Sequence, residues 1–271
     1  MDRLSMLANE IRKEVVTMCA RAKSSHVGTG LSMVDILTWL YSNVMNVSNE
    51  NVNSPLRDIF ILSKGHGSAA LYATLAYHGF FDRIRLEEYY QDDGHMPGHP
   101  VRNVVPGVEA STGSLGHGLA IGMGHALGQK LSGMASKTYV LLGDGECNEG
   151  SIWEAAMLAP KLKLENLIVI IDHNKLQGFG YGAEINAIEP LTDKWKAFGW
   201  NVGECNGHQY DELQSTNETL LKQSTTNHLP SIIIAHTIKG KGVSFMENRL
   251  EWHYKSPNDQ ELVLALEELS Q

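Results

Sequence analysis

Two short apolar runs, each closing on a polar turn and separated by one helix-like segment, constrain this chain more than any other feature. The first, Lys137-Thr138-Tyr139-Val140-Leu141-Leu142, runs into Gly143-Asp144-Gly145. A helix-like stretch from Glu149 to Ala159 follows, and then Leu167-Ile168-Val169-Ile170-Ile171-Asp172, which runs into His173-Asn174-Lys175-Leu176. Continuous apolar, β-branched runs bounded by glycine turns read as buried strands. Strand, crossover helix and strand make a right-handed parallel unit, whose two strands end at the same edge of the sheet. Asp144 and Asn174 therefore converge in the crevice outside that edge, where open α/β sheets bind ligands.

Such a pair suits a hard divalent cation, Mg2+ or Ca2+, holding a diphosphate. These ions take oxygen ligands, and magnesium uses one or two carboxylates together with phosphate oxygens and water. Asp144 offers a carboxylate oxygen, Asn174 an amide oxygen, and the backbone carbonyl of Leu176 a third ligand. Gly143 and Gly145 let the backbone come close to phosphates, and the amides at the following helix N-terminus attract negative charge. A Gly-Asp-Gly tripeptide alone is equally an ordinary strand-to-helix turn; the second strand and Asn174 give it weight.

The same plan recurs along the chain. A strand at Asp58–Leu62 leads into Ser63-Lys64-Gly65-His66-Gly67 and a helix from Ala69 to Tyr77. A histidine held between two glycines has few packing neighbours, which points to function. Further strands are expected at Gly199–Glu204 and Ser231–Thr237, with helices at Leu191–Phe198 and Asp211–Gln223. Apolar residues at Leu4, Leu7, Ile11, Val15, Met18 and Ala22 make a helical stripe. Ser24 to Gly30 reads as a polar, glycine-rich loop, and Ser32 to Asn43 as one helix with Ser32 at its N-cap. The sum is an α/β fold: a single doubly wound, mostly parallel sheet flanked by helices, one domain over residues 1–271, with a C-terminal helix at about 258–270.

Charge and cysteine content exclude several classes. With 22 basic and 31 acidic side chains and a net charge of −9, nucleic acid is not the expected partner. Cys19, Cys147 and Cys205 are odd in number and lack a Cys-x-x-Cys, so neither a disulfide framework nor a structural zinc site is expected. No signal-peptide core and no uncharged apolar run of membrane-spanning length occurs, so a soluble cytoplasmic protein without membrane association is expected. Lys239-Gly240-Lys241-Gly242 lacks the form of a P-loop.

One helix is unusual. Gly116, Ala120, Gly124 and Gly128 fall every four residues and leave a face with almost no side chain. Each glycine costs about 1 kcal/mol of helix propensity relative to alanine. Close packing against another helix offsets that cost, either inside the domain or at a subunit interface.

The motif Gly143-Asp144-Gly145-Glu146-Cys147-Asn148-Glu149-Gly150 with Asp172-His173-Asn174-Lys175-Leu176 resembles the thiamine-diphosphate motif in its transketolase form. The resemblance extends from His26 to about His253. It implies the thiamine-diphosphate-binding fold, specifically the domain that holds the diphosphate, with thiamine diphosphate and Mg2+ or Ca2+ as cofactors. It also implies roles. His26, in Ser24-Ser25-His26-Val27-Gly28, stands where transketolases carry a histidine facing cofactor and substrate, with valine in place of the usual proline. His66 would contact the diphosphate. In Gly94-His95-Met96-Pro97-Gly98-His99-Pro100, His99 would bond the donor sugar's hydroxyls and His95 would be structural. Thr112-Gly113-Ser114-Leu115-Gly116-His117-Gly118 resembles the family's Thr-Gly-Pro-Leu-Gly-Gln-Gly, with Gly113 and Leu115 near the cofactor rings. Glu149 and Lys239 complete the cofactor-binding set, Lys239 reaching the diphosphate. Trp252-His253 resembles a pair of some members, without an assigned role.

In this family a glutamate from a second, pyrimidine-binding domain activates the cofactor. Those motifs occupy the chain to about residue 250 and leave residues 251–271, too few for such a domain. The resemblance thus implies the N-terminal subunit of a split transketolase, inactive alone and completed by a C-terminal subunit that carries the pyrimidine-binding domain. The pair would move a two-carbon ketol unit from a ketose phosphate to an aldose, with His26, His66 and His99 as proton carriers, and by analogy would form a heterotetramer. Two other readings stay open: a subunit of a 2-oxoacid dehydrogenase or decarboxylase, and a non-catalytic module that keeps the cofactor fold.

Overall fold

The computed structural model describes residues 2–186 and 188–271. In chain order its elements are α1 (Arg3–Ala22), α2 (Val27–Ser32), α3 (Val34–Trp39), β1 (Ile59–Leu62), α4 (Ser68–Tyr77), α5 (Gly118–Leu131), β2 (Thr138–Gly143), α6 (Gly150–Lys161), β3 (Leu167–His173), α7 (Gly182–Ile185), α8 (Leu191–Ala197), β4 (Asn201–Asn206), α9 (Tyr210–Asn227), β5 (Ser231–His236) and α10 (Asp259–Glu268).

The five strands form one sheet in the order β1-β2-β3-β5-β4, and every neighbouring pair is parallel. Alternation along the strands divides the apolar residues between two cores, as a sheet covered on both faces requires. Tyr139, Leu141, Ile168, Ile170 and Ile233 face a core shared with α1, α3, α4 and α9. Val140, Leu142, Val169, Ile171 and Ile232 face the other, with α5, α6 and α8. All strands run the same way, so their C-terminal ends and the turns after them crowd one edge. Register places Gly143 beside Asp172, and Asp172 beside Ala235.

Two expectations about the N-terminal third are corrected. Val27–Gly30 is helical rather than loop, and the expected single helix from Ser32 is broken at Met33, followed by a wider-wound turn over Leu40–Val44. Ser32 does not cap a helix. Its hydroxyl accepts no helical N–H and instead donates to Asp172 Oδ2 at 2.5 Å, 140 residues away. A buried carboxylate in need of donors outweighs a local cap, because an unpaired buried charge costs more than a lost cap.

The small-residue helix resolves on glycines other than those in the sequence stripe. A Cβ at Gly118 would lie 2.3 Å from Ser63 Oγ, and one at Gly122 would lie 2.3 Å from Val140, so these two bring α5 onto the sheet. Ala120, Gly124 and Gly128 are exposed, and nothing lies within 4 Å of a Cβ at either of those glycines. Gly116 precedes the helix, at φ +86°. The C-terminal helix is closed by a capping box between Asn258 and Glu261. Among the described residues, no helix is long and apolar enough to cross a membrane, and the three cysteines are free and buried.

Candidate active site

A cavity of about 430 Å³ opens at the C-terminal ends of β1, β2 and β3. Asp144, directly after β2, is 6 % exposed and accepts two bonds, one of which closes the gap to the end of β3. Its Oδ1 accepts from the Gly145 amide at 2.7 Å and its Oδ2 from the Lys175 amide at 2.5 Å. Asn174 Oδ1 accepts from the Leu176 amide at 3.1 Å, while its Nδ2 faces Asp172 Oδ2 and Ser32 Oγ, each at 3.4 Å. The Leu176 carbonyl accepts from Lys239 Nζ at 3.1 Å. Asp144, Asn174 and Leu176 thus line one cavity.

The residues present fit a divalent cation and a diphosphate. Burial, reinforced by the nearby Asp172 charge, pushes the Asp144 carboxyl up to about 6, and a bound cation would relieve both effects. The Lys239 ammonium already rests on the Leu176 carbonyl, so that oxygen accepts positive charge in this position. Burial and the neighbouring Lys64 bring Lys239 down to about 8, as expected of a cation that lacks its anion. His26 Nδ1 and Gln177 Nε2 are buried without a hydrogen-bond partner, and both line the cavity. No group of three or more His, Cys, Asp or Glu among the described residues could hold a metal by itself. The cation set here is oxygen-based and incomplete without ligand phosphates or water.

Four imidazoles line the same cavity and cluster together. The His26 ring lies 5.2 Å from His66, 6.4 Å from His99 and 5.0 Å from His253, centroid to centroid. Burial, with the surrounding positive charges, lowers His26 to about 4 and His253 to about 3, and holds His66 well below the ordinary imidazole range. Burial also lowers His99. Near neutral pH all four rings are uncharged, each offering one N–H donor and one lone-pair acceptor. His253 Nδ1 accepts from Lys239 Nζ at 2.7 Å, which leaves its proton on Nε2. His26 takes a left-handed backbone, φ +73°, pinned by a bond from its amide to the His253 carbonyl at 3.0 Å.

Two buried groups hold these walls in place. Lys64 and Asp172, 1 % and 0 % exposed, form an ion pair, and Asp172 also accepts from Ser32 and Thr237 hydroxyls. Burial opposes ionisation of Asp172, but Lys64 and the hydroxyl donors more than compensate and keep it low. Glu146 accepts from Ser63 Oγ at 2.5 Å, the Gly116 amide at 2.9 Å and the Gly143 amide at 3.1 Å, so one carboxylate joins three separate turns.

Every residue given a catalytic, cofactor or metal role by the sequence lines this cavity. Gly113 is there with φ +152°, and a Cβ on it would come within 3.1 Å of the His99 ring. Leu115 lies beside it, and a Cβ on Gly145 would meet the Gln177 side chain at 2.8 Å. Glu149 is exposed at the rim, at the start of α6, and makes no capping bond there. His95 is exposed, away from the cavity, where its amide donates to Glu88 at 3.3 Å. Sequence reasoning left Lys64, Glu146, Gln177, His253 and Tyr254 without roles, although all five line the cavity. Lys64, Glu146 and Gln177 lie inside or beside motifs already noted, so position in a strand-end turn was a usable signal. For His253 and Tyr254 only the Trp-His resemblance was available.

Comparison with known proteins agrees with this geometry. The family model described as transketolase, thiamine diphosphate binding domain, matches residues 4–269. An apulose-4-phosphate transketolase subunit of Actinobacillus succinogenes is 46% identical over 99% of this chain and 96% of its own length. A 6-deoxy-6-sulfo-D-fructose transketolase subunit of Clostridium sp. is 40% identical over 97% of this chain and 94% of its own. The solved transketolase from Leishmania mexicana superposes with a TM-score of 0.92 at 31% identity, over 100% of this chain but 42% of that one. The chain thus spans about two fifths of the length of that transketolase, and it belongs to the transketolase family through its thiamine diphosphate binding domain.

Proposed function

We propose that this chain is the diphosphate-binding subunit of a two-chain transketolase, which moves a two-carbon ketol unit from a ketose phosphate to an aldose. The observation that carries the reading is the cavity itself, which brings together an oxygen set for a cation and four uncharged imidazoles. Asp144, Asn174 and the Leu176 carbonyl hold Mg2+ or Ca2+, and Lys239 and His66 face the diphosphate. Bound thiamine diphosphate supplies the carbanion chemistry of ketol transfer. His26 and His99 orient the sugar's hydroxyls and carbonyl, and as neutral rings they can give a proton at one nitrogen and take one at the other; His253, held at Nδ1 by Lys239, offers its Nε2–H alone.

The need for a second chain rests on the carboxylates. Both oxygens of Asp144 and both of Glu146 are engaged by donors of this chain. Among the described residues, the one remaining carboxylate on the cavity lining is Glu149, which stands exposed at the rim. The glutamate that activates the cofactor, and most contacts to the sugar's phosphate, then come from a C-terminal subunit with a pyrimidine-binding domain, in a heterotetramer. The two relatives named as subunits match this chain almost end to end, which supports the division. The sheet with its two helical layers is the whole of one domain, and a cytoplasmic location suits such an enzyme. The test is reconstitution: ketol transfer, followed with cofactor and magnesium, should require the partner chain. Full activity of this chain alone would overturn the two-chain reading.

A further inference from the structure

A second and larger crevice, about 750 Å³, lies outside the C-terminal ends of β4 and β5, on the far side of Asn174 from the cofactor cavity. Its lining carries three cations, Arg12, Lys175 and Lys241, against one carboxylate, Asp35. In a chain of net charge −9 this is a local inversion of sign. The carboxylate is spent. Asp35 Oδ2 takes the Arg12 guanidinium and His208 Nδ1, the latter at 2.6 Å, and Oδ1 takes the Tyr210 hydroxyl at 3.0 Å. His208 is fixed in turn, its Nε2 accepting from the Ile238 amide at 2.9 Å. These groups form a rigid floor. Arg12 Nε, although buried, has no partner.

The two lysines are not consumed in the same way. Lys175 is exposed and forms no ion pair among the described residues. Lys241 reaches Glu247 only at 3.6 Å, with both side chains about one third exposed, a pairing of little strength. Around them the lining is neutral and hydrogen-bonding, through Ser5, Asn206, Gln209 and Asn248. Ammonium groups beside amides and hydroxyls recognise a phosphate attached to a body rich in hydroxyls.

We propose that this crevice is a second binding site, for a phosphorylated polyol or sugar, with the phosphate between Lys175 and Lys241 and the hydroxyls on the surrounding amides. The inference goes beyond the two-chain reading and does not depend on it.

Calorimetric titration of the full chain, free of cofactor and divalent metal, tests the proposal with glucose 6-phosphate, glucose and inorganic phosphate as separate probes. Glucose 6-phosphate should bind saturably and more tightly than inorganic phosphate, and glucose should not bind. Lys241→Gln should weaken glucose 6-phosphate by about tenfold, the loss of one charge-assisted contact, and the double variant with Lys175→Gln should weaken it further. Both lysines are accessible, so thermal melts of the variants should match that of the parent. Lys239→Gln, in the cofactor cavity, should leave this binding unchanged. Absence of saturable binding overturns the site. So does binding lost with Lys239→Gln and kept with Lys241→Gln, which would put the phosphate in the cofactor cavity. Equal affinity for inorganic phosphate and glucose 6-phosphate overturns the polyol assignment.

Discussion

The two crevices at the strand ends differ in how their buried polar atoms are treated. Under the β4–β5 crevice, Arg12, Asp35, His208 and Tyr210 bond one another until the carboxylate has no oxygen to spare, and of their buried side-chain atoms Arg12 Nε alone is left over. In the cofactor cavity, the Asp144 carboxyl is pushed up to about 6, His26 Nδ1 and Gln177 Nε2 are orphaned, and Lys239 lacks an anion. A satisfied network stabilises its own fold, and an unsatisfied one is completed by a ligand. Substitutions in the two places should therefore fail in opposite ways.

The largest effect is expected at Asp35. Asp35→Asn leaves the buried Arg12 charge uncompensated, and such breaks cost about 3–5 kcal/mol. Chemical denaturation should show the loss, while cofactor affinity measured below the unfolding transition should change little. Coupled loss of both would mean that the two regions are not independent. Asp144→Ala should show the reverse. Removing a cation ligand should weaken retention of thiamine diphosphate with magnesium by about 100-fold or more. The melting temperature of the free chain should hold or rise, because a buried carboxylate facing Asp172 is gone. Undiminished cofactor binding would remove the basis for the site.

Acid sharpens the comparison further. Arg12 and His208 overcome burial and hold Asp35 at about 2, below its ordinary 3.8. A depressed carboxyl stabilises the fold fully above 3.8 and loses that contribution as pH falls toward 2. Asp144 is shifted the other way, from 3.8 to about 6, so its ionisation opposes folding and protonation through this range relieves it. Stability of the parent should thus fall more steeply between pH 4 and about 2 than that of Asp35→Asn. Parallel curves would show that Asp35 carries no such linkage. The smallest effect concerns α5. Gly128→Ala fills open space on the exposed face and should stabilise the isolated chain by about 1 kcal/mol, read as a rise in its melting temperature. The same change at Gly122, against Val140, should destabilise it.

What was legible in the sequence depended on distance along the chain. Strands and their terminal turns are local, so β2 with Asp144 and β3 with Asn174 followed from apolar runs and glycines, and parallel pairing brought them together. The break at Met33 was not legible, because the group that competes for Ser32 is Asp172 in another strand. The Lys64–Asp172 pair spans 108 residues and leaves no local pattern. His253 belongs to the same class, since it reaches the cluster through a bond to the His26 amide from the other end of the chain. On α5 the sequence stripe picked out Gly124 and Gly128, while the sheet contact is made by Gly118 and Gly122, a second row at the same four-residue spacing, and spacing alone does not rank one row above the other.

Glu146 fastens the turns after β1, before α5 and at the end of β2 to a single carboxylate. Those three pieces of backbone cannot shift separately without breaking a bond to it, so one whole side of the chamber behaves as a cast block. Residues 177–179 and 253–254 on the facing side share no bond with that carboxylate. An arriving molecule therefore meets, on the Glu146 side, an outline that is set before it enters.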